Sequence, residues 1–189
     1  MRKWLIPGMV FALLAALVAG SRLLPHPPNF TPLMAVALFS GALFGRSLWA
    51  YMIPLAAMVL SDAFLGFHSL SGVVYIGMAL AVLFGGIAED WKPVGEKKVL
   101  FGLKWLSLAL VADGIFFVLT NFGVWALTPY YEKSVSGLAE CYVMALPFLL
   151  NQLLGTGTFL GLLLFTWHGL KVLSRWRVPG KVSYQRYKS

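Results

Sequence analysis

Apolar residues run along this chain in long blocks, and the polar positions fall between the blocks rather than alternating within them. Six blocks stand out: Trp4 to Leu24, Thr31 to Phe44, Ser47 to Leu65, Leu70 to Ala88, Val99 to Val124 and Leu146 to about Trp167. A helix needs roughly 20 mostly apolar residues to cross about 30 Å of hydrocarbon. The pattern therefore predicts an all-α membrane protein, a single bundle of six transmembrane helices.

The breaks between blocks carry their own signals. The first block ends at Arg22 and the Pro25-His26-Pro27-Pro28 stretch, because prolines cannot continue a helix. The second is short. Its fourteen residues cover only about 21 Å at 1.5 Å each, so it either borrows from its flanks or begins inside a cavity rather than in lipid. Gly66-Phe67-His68-Ser69 joins the third and fourth blocks, and Glu89 to Lys98 is a charged loop. Between the fifth and sixth, Trp125 to Ala145 holds Pro129-Tyr130-Tyr131 and predicts a separate short helix from Ser136, placed as a lid over the bundle mouth. Ala12, Ala16 and Gly20 recur at four-residue spacing, a pattern suited to close helix contact. Residues 1–170 form the expected transmembrane domain and residues 171–189 a basic cytoplasmic tail.

Composition agrees with the pattern. Of 189 residues, 59% are hydrophobic and 12% charged, with a mean hydropathy of +0.79, too apolar for a water-soluble domain of this size. Met1-Arg2-Lys3 before an apolar run resembles a signal peptide, but the run continues to Leu24, which favours a retained first span. Cys141 is the only cysteine, so no intrachain disulfide can form.

The net charge of +8 could point to nucleic acid, but the basic residues sit in short loops and the tail, where orientation and anionic lipid explain them better. With the amino terminus cytoplasmic, Arg2, Lys3, Arg46, Lys92, Lys97, Lys98, Lys104, Lys171, Arg175, Arg177, Lys181, Arg186 and Lys188 fall inside, thirteen of the fifteen. Only Arg22 and Lys133 fall outside. That split predicts a multi-pass membrane protein with both termini cytoplasmic. It also puts the loops after the first, third and fifth segments on the outer side.

Ionisable side chains at membrane depth are normally turned toward a cavity or a partner. Arg22, Asp62 and Asp113 need such an account. Arg22 and Asp62 lie near the outer ends of their segments, and an ion pair between them is one reading. Asp113, Phe117, Thr120, Asn121 and Val124 share a face of the fifth segment, which reads either as a polar stripe leading to a ligand or proton site or as an interhelical hydrogen-bonding seam. Asn151, Gly155 and Thr158 share a face of the sixth, with Gln152 and Thr156 beside it, so a second polar wall could oppose the first. His26, His68, Glu140 and Cys141 are outer-side residue types that suit a transition metal, although their spacing is irregular. Phe30, Phe67, Tyr75, Trp125, Tyr130, Tyr131 and Tyr142 gather near the same end, as an aromatic belt or as stacking walls for a flat ligand. No nucleotide-binding loop, nucleophile elbow or zinc-peptidase pair is present, so the chain reads as a non-enzyme without a cofactor, whose energy source must be another protein or a gradient.

His26-Pro27-Pro28-Asn29-Phe30-Thr31-Pro32, Ala37-Leu38-Phe39-Ser40-Gly41, Ser61-Asp62, Gly66-Phe67-His68, Thr120-Asn121-Phe122-Gly123-Val124-Trp125 and Glu140-Cys141-Tyr142 together resemble a family of small bacterial membrane proteins related to the substrate-binding S components of energy-coupling factor (ECF) vitamin transporters. The resemblance implies six helices, a vitamin-like or metal-containing ligand held toward the outside, and a membrane coupling subunit driven by two ATPases. It also implies that Ala12, Ala16 and Gly20 dock that subunit.

Residues and resemblance together predict an S-component-like binding subunit. Asn29, Asp62, His68, Asp113, Asn121, Glu140 and Asn151 supply hydrogen bonds or charge, and Phe30 and Trp125 the stacking walls. His26, His68 and Cys141 are the candidate metal ligands. Two other classes stand beside it: a structural or assembly protein of the cell envelope, and a proton-coupled carrier using Asp113.

Overall fold

A computed structural model of the protein describes residue 16 and residues 18–45, 47–91 and 98–176. Most of the first apolar block with Ala12, Arg46, the 92–97 loop with Lys92 and Lys97, and the tail beyond residue 176 lie outside the described residues. Every element among the described residues is helical. The first helix, α1, is described over residues 18–23, followed by α2 (Leu33–Phe44), α3 (Leu48–Leu65), α4 (Ser71–Gly86), α5 (Lys98–Leu127) and α6 (Val135–Trp176).

Three of these helices are long and apolar enough to cross a membrane: Leu48–Leu65, Val99–Leu127 and Val135–Gly169. Apolar residues ring them rather than forming one stripe, the pattern of helices whose outer face meets lipid. Phe64, Val99, Leu154 and Phe165 are all exposed on those outer faces. Such exposure would be an aggregation surface in water and is ordinary contact area in a bilayer. α2 and α4 are apolar but shorter.

The shortness of α2 follows from its place. Every residue from Leu33 to Gly41 is buried, and the helix packs against α3, α4, α5 and α6. A helix surrounded by protein need not match the hydrocarbon thickness, because its ends are covered by neighbours. Its contact with α4 is backbone to backbone: a Cβ at Gly41 would collide with the Val82 carbonyl, and one at Gly85 with the Leu38 carbonyl. Small residues at such crossings bring helices together where van der Waals contact is the main attraction. Ser40 adds a bond from its hydroxyl to the Ala50 carbonyl of α3, at 2.6 Å.

Helix ends fall close to the breaks in the apolar pattern, with one exception. The expected separate helix from Ser136 and the segment from Leu146 are one continuous element, α6, of 42 residues. Pro147 lies within it on an exposed face, so the ring faces away from the bundle, a placement membrane helices tolerate. At 1.5 Å per residue α6 is about 63 Å long, roughly twice the hydrocarbon core. Its start is capped by Ser134, whose Oγ accepts the Gly137 amide at 3.2 Å. The connection from α5 is therefore only residues 128–134. It is also pinned: Trp125 Nε1 donates to the Glu132 carbonyl at 2.9 Å, and Lys133 donates to the carbonyls of Thr128 (2.6 Å) and Trp125. A short, bonded turn replaces the expected lid.

Candidate functional site

Arg22, at the end of α1, reaches the end of α3. Its Nη1 lies 2.7 Å from Asp62 Oδ1 and also donates to Ser61 Oγ. Ser61 in turn donates back to its own helix, to Ala57 O at 2.9 Å and Met58 O at 3.0 Å. Tyr75 of α4 donates its hydroxyl to the other carboxylate oxygen, Asp62 Oδ2, at 2.8 Å. Asp62 is 1% exposed and both its oxygens are occupied. The Arg22 side chain keeps 18% of its surface. One charge is therefore closed off and its partner remains reachable.

A second polar cluster joins α5 to α6. Asp113, fully buried, accepts two hydrogen bonds at Oδ1, from Gln152 Nε2 at 2.7 Å and Thr156 Oγ1 at 3.0 Å. Its Oδ2 has no hydrogen-bond partner among the described residues. Gln152 and Thr156 stand one turn apart on α6, so one face presents both donors to one oxygen.

Between these clusters lies a cavity of about 280 Å³. Arg22, His26, Asn29, Thr31 and Gln152 form its polar side, and Met34, Met58, Met78, Val74 and Phe116 much of its apolar side. Asn29 and Thr31 arrive there through a tight turn after the prolines, where Phe30 N donates to Pro27 O and Thr31 N to Asn29 O, each at 3.0 Å. Asn29 has φ = 64°, the left-handed region that asparagine tolerates better than most residues. α6 passes directly beneath: a Cβ at Gly155 would lie 3.1 Å from Thr31 N, and Phe30 packs on Phe159 with ring centroids 5.7 Å apart. The HPPNFTP stretch is thus held against α6 by glycine below and an aromatic pair beside it.

The other expected site residues are placed elsewhere. Asn121 Nδ2 donates to Phe117 O at 2.8 Å and Thr120 Oγ1 to Phe116 O at 2.8 Å, so both side chains turn back to their own helix. His68 is exposed and accepts the Leu70 amide at Nδ1, 3.2 Å away, within the α3–α4 turn. Trp125 is engaged in the α5–α6 connection and Glu140 is exposed on α6. Asn151 is half-buried beside Gln152. Phe30 is fixed on Phe159 rather than lining the cavity. The metal candidates do not converge: His26 Nδ1 bonds Leu24 O at 2.6 Å, buried Cys141 donates to Asn121 O at 3.4 Å, and no group of three His, Cys, Asp or Glu residues is gathered among the described residues. Of the nine expected ligand-binding residues, the cavity wall holds Asn29, while Asp62 and Asp113 act one contact behind it through Arg22 and Gln152.

A family model described as a family of unknown function (DUF6580) matches residues 4–178, nearly the whole chain. The chain belongs to the DUF6580 family. No curated protein and no solved structure matches it. In this DUF6580 protein Gln152 and Thr156, expected in the polar wall of the sixth segment, do face Asp113, whereas Met34, Met58 and Met78, which line the cavity, were not among the expected residues. Methionine carries no positional signal in an apolar block, whereas polar residues at four-residue spacing, such as Gln152 and Thr156, do.

Proposed function

We propose that this protein is a membrane-embedded binding subunit that captures a small, ring-containing nutrient from the outer side, in the manner of the S components of ECF transporters. In this reading six helices span the bilayer with both termini cytoplasmic, and the α1–α2 and α3–α4 connections lie outside. A coupling subunit and ATPases supply energy, since the chain has no nucleotide-binding loop of its own.

The observation that carries the proposal is the cavity of about 280 Å³ with Arg22, Asn29 and Gln152 on one side and methionines and Phe116 on the other. Ligand sites combine apolar walls with a few placed polar groups in this way. Its volume is near twice the roughly 150 Å³ cavity that accepts benzene, so a body of one or two rings suits it. The polar donors and thioethers around it favour an organic ligand over a metal complex, given the separation of His26, His68 and Cys141.

The Arg22–Asp62–Tyr75 closure favours a second reading, an envelope scaffold whose polar residues only lock helices together. Mass spectrometry of small molecules released from the protein purified out of native membranes separates the two. A stoichiometric ring compound, with a coupling subunit co-purifying, is the expected result. Lipid alone, with only envelope-assembly proteins co-purifying, would favour the scaffold.

A further inference from the structure

Resting on the binding role proposed above, we infer that the cavity recognises a carboxylate-bearing ring compound, with the Nε–Nη2 edge of Arg22 as the anion fork and Gln152 Oε1 as the acceptor for an N–H or O–H of the same ligand. A guanidinium offers five N–H donors arranged as forks that match a carboxylate. In Arg22 the bonds to Asp62 and Ser61 both use Nη1. The Nε–Nη2 edge takes no partner among the described residues, although Arg22 lines the cavity.

The charge seen from inside the cavity is that of the cation. Asp62 stands behind Arg22, is 1% exposed and is not part of the cavity wall, and no acidic side chain lines it among the described residues. Among the described residues Arg22 is the single Lys or Arg of that wall. One guanidinium fork matches one planar monoanion, whereas a phosphate monoester, with nearly two charges, is served better by several cations. The opposite pole is set by Asp113. It takes the Nε2 donor of Gln152, so Oε1 is the part of that amide left to accept from a ligand. Asp113 and Asp62 are thus positioning residues: each holds the side chain that would touch the ligand.

Isothermal titration of the purified full-length protein with two matched pairs, nicotinate against nicotinamide and 4-aminobenzoate against 4-aminobenzamide, tests this directly. Each acid is expected to bind about tenfold tighter than its amide, the order expected when a charge-assisted fork replaces a neutral contact. R22K keeps the charge but loses the fork and narrows that preference. The R22Q/D62N double variant removes both charges without leaving Asp62 buried and unpaired, and it should bind acid and amide equally. Equal binding of acid and amide by the unaltered protein, or an acid preference that survives in the folded double variant, overturns the inference while leaving the binding role intact. Binding of no probe at millimolar concentration overturns both.

Discussion

Gln152 donates its side-chain amide to Asp113 Oδ1 across 2.7 Å, and this bond ties the middle of α5 to α6 beside the cavity. Replacing Gln152 by alanine leaves a buried carboxylate with Thr156 as its remaining side-chain donor. The loss should be about 1–3 kcal/mol, the cost of leaving a buried polar group unsatisfied. Thermal unfolding in detergent measures it. Asp113→Asn keeps the Oδ1 acceptor and should stay folded. Uptake that persists in Asp113→Asn without a pH gradient would argue against the proton-carrier alternative.

The Arg22–Asp62 pair predicts a double-mutant cycle with a large coupling term. Asp62→Asn removes the charge partner of a mostly buried guanidinium and should destabilise by roughly 3 kcal/mol, the lower end for breaking a buried pair because Arg22 stays partly exposed. Adding Arg22→Gln should recover part of that loss. Strictly additive effects would mean the pair contributes nothing.

At the α2–α4 crossing, Gly41→Ala and Gly85→Ala push a methyl into a carbonyl of the opposite helix. Each should lower stability by about 2 kcal/mol or more, the cost of overpacking where backbone must move. Gly157 has open space around it. Gly157→Ala should therefore be neutral or stabilise by up to about 1 kcal/mol through helix propensity. The contrast is read by thermal melting of the three variants side by side.

Gly155→Ala is a subtler change. Its new Cβ meets Thr31 N at 3.1 Å and Phe30 Cα at 3.3 Å, so the turn carrying Asn29 and Thr31 must give by a few tenths of an ångström. Ligand affinity should fall more than stability does, by about tenfold for a displacement of the recognition groups. Calorimetry and melting on the same preparation separate the two effects.

The boundaries of α2, α3 and α4 were legible because Pro32, Gly45, Gly66 and the 87–90 turn interrupt apolar runs. The continuity of α6 was not. Pro147 reads as a breaker by the rules of water-soluble helices, and only its position on the exposed face shows why it is tolerated. Asp62 and Arg22 could be paired from sequence because both lie near one end of the chain's apolar blocks. Asp113 could be recognised as needing a partner, and Gln152 and Thr156 belong to the polar wall expected to oppose it, but which positions of that wall reach it was not fixed. The reason is physical: a helix apolar on all sides gives no stripe to fix its rotation, so Asn151–Gly155–Thr158 and Gln152–Thr156 were equally plausible inward faces. The cavity itself depends on how Met34, Met58 and Met78 from three helices meet, which no local pattern encodes.

The proposed binding role depends most on the cavity being open to water-borne solutes from outside. Cys141 is the natural cysteine, so a Cys141→Ala background makes an introduced thiol unique. Met58→Cys at the cavity wall, with lipid-facing Val59→Cys as control, should be tested in intact cells with a small membrane-impermeant thiosulfonate anion. Modification of position 58 and not 59 from the outer side is the predicted result. Failure to modify position 58 from outside, with modification only after the inner face is exposed, would contradict it.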